Sequence, residues 1–291
     1  MGEMSFEEHR GHLRAVAYRM LGSLTEADDA VQDTWLRASR AGTAEVDNLR
    51  GWLTTITARV CLNMLRARSV RREEFVPDPV IGVDGDRQPE EEALLAESVG
   101  FALLVVLETL TPAERLAFVL HDMFGLPFEE IAPMAGRTPA AARQLASRAR
   151  RRVQGAARPA GTDLSRQREV VNAFFAAARG GDFDALVSVL DPDVVLRIDA
   201  GAAYPQASMV LRGQQAVARQ AGSGLATAWR TAIMHPVLVN GAAGVLVSLR
   251  GRPITVMGFA FAAGMIVEIN AVADPSRIED ITSSWVQASR P

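Results

Sequence analysis

Apolar residues recur along the first half of the chain with the spacing of amphipathic helices. The repeat runs over 12–39, where Gly22 divides it into two predicted helices. It runs again over 49–69, which predicts a third helix. The same spacing resumes in four further segments, at 93–109, 111–123, 127–135 and 138–153. The pattern therefore predicts an all-α structure for this half of the chain.

Local start and stop signals support the later helices. The run Thr111-Pro112-Ala113-Glu114 combines an N-cap, a proline for the first turn and a capping-box glutamate. Gly125 and Gly136 then end this helix and the next one. A short helix, a turn with glycine and a longer Arg-rich helix over 138–153 form the pattern of a helix-turn-helix unit.

The period of the pattern changes after residue 165. Two helices separated by Gly180-Gly181-Asp182 lead to a strand at 194–198, and a further helix is predicted over 214–229. Strand-like runs separated by single glycines follow at 231–239, 243–250, 253–262 and 265–272, before a last helix at about 277–287. Helices followed by an antiparallel meander predict an α+β domain.

Two segments interrupt these elements. Residues 73–92 contain three prolines, two glycines and many acids, which predicts a linker without a packed element. Residues 155–165 predict a second linker. The motif Phe75-Val76-Pro77-Asp78-Pro79 is nevertheless more apolar than a simple spacer needs. We therefore expect a helical domain, an acidic linker, a helix-turn-helix domain and an α+β domain, at 5–74, 75–92, 93–156 and 165–291.

The distribution of charge points to nucleic acid as a partner. The net charge is −3, and all 31 basic residues are Arg. Residues 49–72 hold six Arg and residues 137–158 hold seven, with no Asp or Glu in either segment. Residues 73–114, in contrast, hold eleven acids and one Arg. Two cationic segments within a nearly neutral chain are typical of local nucleic-acid-binding surfaces.

Other features exclude several classes of protein. No stretch of eighteen residues lacks a charge or a turn-forming residue, and the N-terminus is polar, so we expect neither a membrane span nor a signal peptide. The single cysteine, Cys61, excludes an internal disulfide framework and fits a reducing cytoplasm. No Gly-rich phosphate loop or nucleophile elbow is present, and no metal-ligand spacing joins the histidines, His9, His12, His121 and His235. We expect no metal, no cofactor and no enzymatic activity.

Polar helix faces provide three candidate surfaces. The face opposite Val31 is either a solvated surface or a docking site for a protein, and it carries Asp28, Asp29, Gln32, Asp33 and Arg37. The helix over 49–69 carries Arg on its outer side, and its Trp52 is either a core residue or a base-stacking residue beside Asn63. The helix over 138–153 directs Arg and Gln outward, the residue types that bind guanine and adenine edges.

Together, residues 12–153 resemble the extracytoplasmic-function group of the sigma-70 family, which are sigma factors of bacterial RNA polymerase. The stretch from Ala27-Asp28-Asp29 to Trp35-Leu36-Arg37 resembles region 2.2. The stretch from Arg50-Gly51-Trp52-Leu53 to Asn63-Met64-Leu65-Arg66 resembles regions 2.3 and 2.4, and Thr111 to Arg152 resembles region 4.

The resemblance implies three sets of functional residues. Contact with the β′ clamp of core polymerase is implied for Asp28, Asp29, Gln32, Asp33, Trp35 and Arg37. Contact with the minus-ten element is implied for Arg50, Trp52, Arg59, Asn63 and Arg66. Contact with the minus-thirty-five element is implied for Thr138, Arg143, Gln144, Ser147, Arg148 and Arg151. The β subunit of polymerase is a further implied partner.

Residues 166–291 resemble the SnoaL-like, or NTF2-like, fold, a cone of helices over a curved sheet. A subgroup of these sigma factors carries such a tail as a regulator in place of a separate anti-sigma factor. Its linker and C-terminal motifs imply regulatory contacts by Phe75, Pro77, Asp78, Pro79, Asp274, Pro275 and Arg277. The fold also suggests a small-molecule pocket lined by Phe174, Asp199, Trp229, His235, Met257, Phe259 and Phe261.

The expected protein is therefore a monomeric sigma factor that binds core polymerase and promoter DNA and is regulated by its own tail. One alternative is a one-component repressor with a helix-turn-helix and a ligand-sensing domain, although it leaves the surfaces around residues 30 and 60 without a role. A second alternative is a fusion to an enzyme, because the SnoaL-like fold also hosts cyclases and isomerases. In that case the candidate bases are Asp199 and His235.

Overall fold

The computed structural model describes six segments of the chain, 3–41, 46–71, 76–82, 100–156, 163–224 and 231–288. They belong to two compact units. The helical unit comprises Met1–Pro77 and Leu103–Ala157, and the C-terminal unit comprises Asp78–Ala102 and Arg158–Pro291. Among the described residues, no helix combines the length and the apolar character needed to cross a membrane.

The helical unit is built from helices that overlap the predicted ones, although the first begins at Glu3 rather than near residue 12, and residues 93–99 of a later predicted helix lie outside the described residues. The helices are α1 (Glu3–Leu21), α2 (Leu24–Ala41), α3 (Leu49–Arg71), α4 (Phe101–Glu108), α5 (Pro112–Phe118), α6 (Phe128–Ala135) and α7 (Pro139–Ala156). The first two residues of α4 belong to the C-terminal unit. A π-helical turn, Val119–Met123, extends α5 to the Gly125 turn. The first three helices enclose a core that includes Phe6, Leu13, Val31 and Leu53.

The two sets of helices, predicted as separate domains, pack together in one unit. The α1 carbonyls near its C-terminus accept hydrogen bonds from side chains on other helices: Leu21 from Arg68 at 2.9 Å, and Arg19 from Arg115 at 3.2 Å. Arg115 lies on α5, so its hydrogen bond joins the two predicted domains directly. Unsatisfied carbonyls at the end of a helix are good acceptors, which explains this use of α1.

The C-terminal unit packs helices against one mixed sheet. Its helices are α8 (Leu164–Gly180), α9 (Phe183–Val189), α10 (Gln214–Gly224) and α11 (Pro275–Ala288). Its strands are β1 (Ile81–Gly82), β2 (Leu190–Asp199), β3 (Met209–Arg212), β4 (Ile233–Val239), β5 (Ala242–Leu249), β6 (Arg252–Ala262) and β7 (Met265–Val272). The sheet order is β1-β4-β5-β6-β7-β2-β3, and among the strands of the described residues only β2 and β7 pair in parallel. This α+β plan confirms the predicted fold class.

The prediction of an unpacked linker was wrong for residues 78–82. Ile81 and Gly82 pair with β4 as an antiparallel strand, and Val80 exchanges hydrogen bonds with Asn240 at 2.9 and 3.0 Å. Asp78 is only 3% exposed. Composition alone could not indicate this strand, because the edge of β4 supplies its hydrogen-bonding partners. The remainder of the predicted linker, 83–92, lies outside the described residues.

Candidate functional sites

The polar face of α2 is largely available to solvent. Arg37 forms an ion pair with Asp33 one turn earlier, at 2.8 Å, and Arg14 of α1 forms another with Asp28 at 2.6 Å. Both pairs are partly exposed, so they hold side-chain orientations and add little stability. Exposed members of the predicted docking face are Asp28, Asp29, Gln32 and Arg37.

Trp35 takes a different position from the rest of that predicted set. Its ring packs against Phe6, with 5.1 Å between the centroids, and lies against the core of the helical unit. The residue that the sequence analysis missed is Leu36, whose side chain is 44% exposed. Leu36 lies seven positions after Asp29 and three after Asp33, on the same helix face. Helical spacing places Leu36 on this charged face, so the sequence pattern could have indicated an exposed leucine there.

The outer side of α3 carries a row of exposed polar residues. Arg59, Asn63 and Arg66 are exposed and follow each other at four and three positions, so they share one face. Arg50 is exposed at the start of the helix, where its Nη2 lies 2.9 Å from Nδ1 of His12. Trp52 is half-buried and packs against the core, which agrees with the alternative interpretation of that residue.

A helix-turn-helix unit is present where the sequence predicts it. Gly136 ends α6 with a φ of 64°, a left-handed conformation that glycine adopts without strain. Thr138 then caps α7 by accepting a hydrogen bond from the amide of Ala141 at 3.3 Å. Ala142 and Ala146 are fully buried beneath α7, which brings this helix close to its neighbours. These local features fix the exposed face of α7.

Every residue predicted to bind DNA from α7 is exposed. The set is Thr138, Arg143, Gln144, Ser147, Arg148 and Arg151. Arg143 lies over the ring of Phe128, at 5.2 Å from its centroid, and 4.0 Å from a carboxylate oxygen of Glu129. This contact orients Arg143 from the preceding helix and leaves its guanidinium on the surface.

Glu114 has a second role that its capping motif did not reveal. It closes the predicted capping box with Thr111, and its carboxylate also pairs with Arg148 at 3.3 Å and with Arg152 at 2.9 Å. Burial by itself raises the pKa of Glu114, but the hydrogen bonds from Thr111 and the charges of Arg152 and Arg148 outweigh it and lower the pKa below its usual value. A single buried carboxylate therefore anchors two cations of α7.

Arg115 lies between the two parts of the helical unit that correspond to the predicted domains. It is 1% exposed, donates to the Arg19 carbonyl, and pairs with Glu108 at 2.6 Å. Glu108 lies 3.7 Å from Arg68, which also pairs with Glu26. Alternating cations and carboxylates thus connect α2, α3, α4 and α5, and the hydrogen bond of Arg115 to the Arg19 carbonyl adds α1. No local sequence signal distinguishes this arginine from the exposed ones.

His12 also lies at this junction. Its ring meets that of Phe124 edge-on at 5.4 Å, and its Nε2 lies 3.1 Å from the Thr54 hydroxyl. Burial, followed by the nearby positive charge of Arg50, lowers the pKa of His12 to about 4. His12 is therefore neutral at physiological pH. Cys61, in the same unit, is fully buried, and burial raises the pKa of its thiol.

The C-terminal unit brings together several of the predicted regulatory residues. Arg277 on α11 forms ion pairs with Asp78, at 2.5 Å, and with Asp199 at the end of β2, at 2.7 Å. Asp274 accepts a hydrogen bond from the Ser276 amide at 3.0 Å, and Pro275 is the first residue of α11. Pro79 is buried beside Asp78, and Pro77 is buried in the helical unit, whereas Phe75 lies outside the described residues.

Four of the predicted pocket residues lie in the hydrophobic core of the C-terminal unit. Phe174, Met257, Phe259 and Phe261 pack together in the core of the C-terminal unit, with 6.2 Å between the rings of Phe174 and Phe259. Their apolar side chains fill the space between the helices and the sheet. A cavity lies elsewhere in this unit, against α8, β4 and β5.

The other residues of that predicted pocket also have different positions. His235 lies 2.8 Å from the Ser248 hydroxyl on the neighbouring strand. Asp199 is committed to its ion pair with Arg277, and Trp229 lies outside the described residues. The two candidate bases therefore have structural partners of their own. Within the described part of the chain, no group of His, Cys, Asp and Glu is arranged to hold a metal ion.

Comparisons with known proteins identify both helical regions. Residues 5–71 match the family model for sigma-70 region 2, and residues 100–153 match that for sigma-70 region 4. The chain is 44% identical over 222 residues to the ECF RNA polymerase sigma factor SigJ of Mycobacterium tuberculosis, covering 74% of this chain and 70% of SigJ. It is 34% identical to the probable sigma factor SigI of the same species, covering 95% and 94% of the two chains.

One solved structure matches nearly the whole chain. The crystal structure of M. tuberculosis SigJ, an extracytoplasmic function sigma factor, superposes with a TM-score of 0.73 at 34% sequence identity. The match covers 95% of this chain and 98% of the SigJ chain. The similarity therefore includes the C-terminal unit as well as the two helical regions.

Proposed function

Because the chain belongs to the extracytoplasmic-function sigma factors of bacterial RNA polymerase, we propose that it binds the core enzyme through α2, contacts promoter DNA through α3 and α7, and is controlled by its own C-terminal unit. Directing polymerase to initiate at promoters is the function of this protein. Since polymerase and DNA are its partners, the bacterial cytoplasm is its site of action.

Support for polymerase binding comes from the exposed face of α2. It combines carboxylates at Asp28 and Asp29, the amide of Gln32 and the apolar side chain of Leu36. A charged rim around an apolar contact is the usual composition of a protein interface. The carboxylates would attract a cationic partner, and Leu36 would be the residue that becomes buried.

The observation that carries the DNA-binding proposal is the solvent-facing side of α7. It presents Arg143, Gln144 and Arg151 directly after a helix-turn-helix turn. Side chains near the start of the second helix contact base edges, whereas arginines along it meet phosphates. On α3, Arg59, Asn63 and Arg66 offer cations and an amide for the second promoter element. The two helices together give the protein two linked contacts with DNA.

Support for control by the C-terminal unit comes from the ion pairs of Arg277. They fix residues 78–82, which connect the two sigma regions along the chain, onto the sheet of the C-terminal unit. Any ligand, partner or polymerase surface that binds better with this segment released would shift the protein toward that state. The C-terminal unit thereby replaces a separate regulatory protein.

The test is reconstituted transcription with full-length protein, core polymerase and genomic DNA of the source organism. We expect a holoenzyme that initiates at a defined set of promoters. The variant Arg59→Ala/Asn63→Ala should still join the core but lose initiation, whereas the exposed control Arg166→Gln on α8 should behave as the parent protein. Failure to bind core, combined with specific binding to duplex DNA alone, would instead support a one-component repressor. Light scattering tests the monomeric free state.

A further inference from the structure

A cavity of about 420 Å³ lies between α8 and the strands β4 and β5 of the C-terminal unit. Its apolar lining includes Val171 and Phe175 from α8, Met234 from β4 and Val245 from β5. The volume lies within the range of small-molecule sites, which are lined mainly by apolar groups with a few polar groups that orient the ligand. The sequence-predicted pocket shares no residue with this lining.

The polar groups of the cavity lie on one face of α8. Arg168, Asn172, Ala176 and Arg179 all line it, at spacings of four, four and three positions. Asn172 and Arg179 are exposed and Arg168 is half-buried, so this row lies at the solvent side of the cavity. Ala176 lies between the polar residues of this row, and its small side chain leaves space beside the apolar lining.

The charge of the lining has one sign. It includes two arginines, and none of its described residues is an aspartate or a glutamate. Arg179 lies eleven positions after Arg168, which corresponds to about 16 Å along the helix axis. Each end of the cavity therefore offers one guanidinium, a group that binds a carboxylate through two parallel hydrogen bonds.

We propose that this cavity binds an organic carboxylate with a hydrocarbon body, such as a medium-chain fatty acid. The hydrocarbon lies against Val171, Phe175 and Met234, where its burial removes apolar surface from water. The carboxylate is held at the rim by Arg168 or Arg179. An uncharged compound of the same shape loses this contact, and a small anion such as acetate loses the apolar one. This inference goes beyond the proposed function and does not depend on it.

The test is isothermal titration of the full-length protein with decanoate below its micelle-forming concentration. We expect one decanoate per chain, at least tenfold weaker binding of decanol, and no measurable binding of acetate. The variant Arg168→Gln/Arg179→Gln should weaken decanoate binding at least tenfold. The variant Ala176→Phe should abolish it by filling the open position in the row.

Arg166→Gln is the matched control, because Arg166 lies on the same helix but pairs with Glu169 and is not part of the lining. It should bind decanoate as the parent protein does. Thermal unfolding of each variant without decanoate shows whether α8 remains folded. Absence of decanoate binding to the parent protein, equal binding of decanol, or unchanged affinity in both cavity variants would overturn the proposal.

Discussion

Arg277 and Asp78 lie 199 positions apart in the sequence and form a buried ion pair, with 2.5 Å between Nη2 and Oδ1. The same guanidinium holds Asp199 through Nη1 at 2.7 Å. One cation thus balances two carboxylates that are both nearly inaccessible to water. This arrangement joins the last helix, the end of β2 and the segment that precedes β1.

Replacing Arg277 with Gln should release residues 78–82 from the sheet. Removing the guanidinium takes from both buried carboxylates their ion pair with Arg277, and breaking a buried pair costs about 3–5 kcal/mol. We expect faster hydrogen exchange at the amide of Val80, which donates to Asn240, and a lower free energy of unfolding in urea. Arg277→Lys should retain part of both, because it keeps the charge. Unchanged protection of Val80 in Arg277→Gln would contradict the role of this ion pair.

The same variant tests the proposed regulation. If the C-terminal unit controls the sigma regions through residues 78–82, Arg277→Gln should change promoter-directed transcript yield several-fold in the reconstituted assay. Arg277→Lys should lie between the variant and the parent protein. Arg166→Gln serves as the control, because its exposed ion pair with Glu169 contributes little. Equal yields from all four proteins would exclude regulation by this contact.

Arg115 should be the most costly arginine to remove from the helical unit. It is buried, and its loss as Arg115→Met leaves the Arg19 carbonyl without this donor and Glu108 without its closer cation. We expect a decrease of about 3 kcal/mol in the free energy of unfolding. Arg151→Met, at an exposed site on α7, should change it by less than about 0.5 kcal/mol. Equal effects of the two variants in urea titrations would show that the junction is not stabilised by Arg115.

His12 should make the helical unit sensitive to mild acid. Its folded pKa of about 4 lies below the usual 6.5, so the unfolded chain binds the proton more readily. The stability it contributes is complete above pH 6.5 and is lost as the pH falls toward 4, and solvent screening of the partly exposed ring makes this loss smaller than the pKa shift alone would give. His12→Gln should flatten the dependence of unfolding free energy on pH in that window, whereas His235→Gln on β4 of the C-terminal unit should retain it. A parent slope unchanged in His12→Gln would refute this assignment.

Two exposed residues of α7 should affect DNA binding differently. Arg151→Gln should weaken binding similarly for all promoter sequences and reduce the salt dependence, since losing one phosphate contact lowers the slope of log K against log[salt] by about 0.9. Gln144→Ala should instead alter the preference at one position of the upstream element. Fluorescence anisotropy of the holoenzyme on promoter variants at several salt concentrations separates these effects. Identical responses of the two variants would contradict the division between phosphate and base contacts.

Much of the helical unit was predictable because its determinants are local. The spacing of apolar residues located α3 and α7, and Gly136 with Thr138 located the turn between α6 and α7. Exposure of the α7 arginines followed from the same spacing, because polar residues of an amphipathic helix face away from its core. The two sigma-70 region matches confirm the family resemblance that these segments implied.

Other features of the candidate sites depended on residues distant in sequence. Trp35 was included in the docking face, and its half-buried ring packs against Phe6 of another helix. Glu114 was recognised as a cap, but its pairing with Arg152 requires α7 to lie alongside α5. Met257 and the phenylalanines were expected around a pocket, and they lie in one core cluster with residues of α8. In each case the amino-acid type indicated the kind of contact, but the contacting residue lies far away in the sequence.

The sequence by itself determined the helices, the helix-turn-helix, the two cationic faces and the family. Only the tertiary structure decided that Asp78 is buried against Arg277, that Arg115 joins the two helical regions, and that the cavity lies beside Arg168 and Arg179. The physical reason is the sequence separation over which each interaction acts. Helical periodicity and capping act between residues three or four positions apart, whereas ion pairing, strand addition and cavity formation depend on which distant surfaces the folded chain brings together.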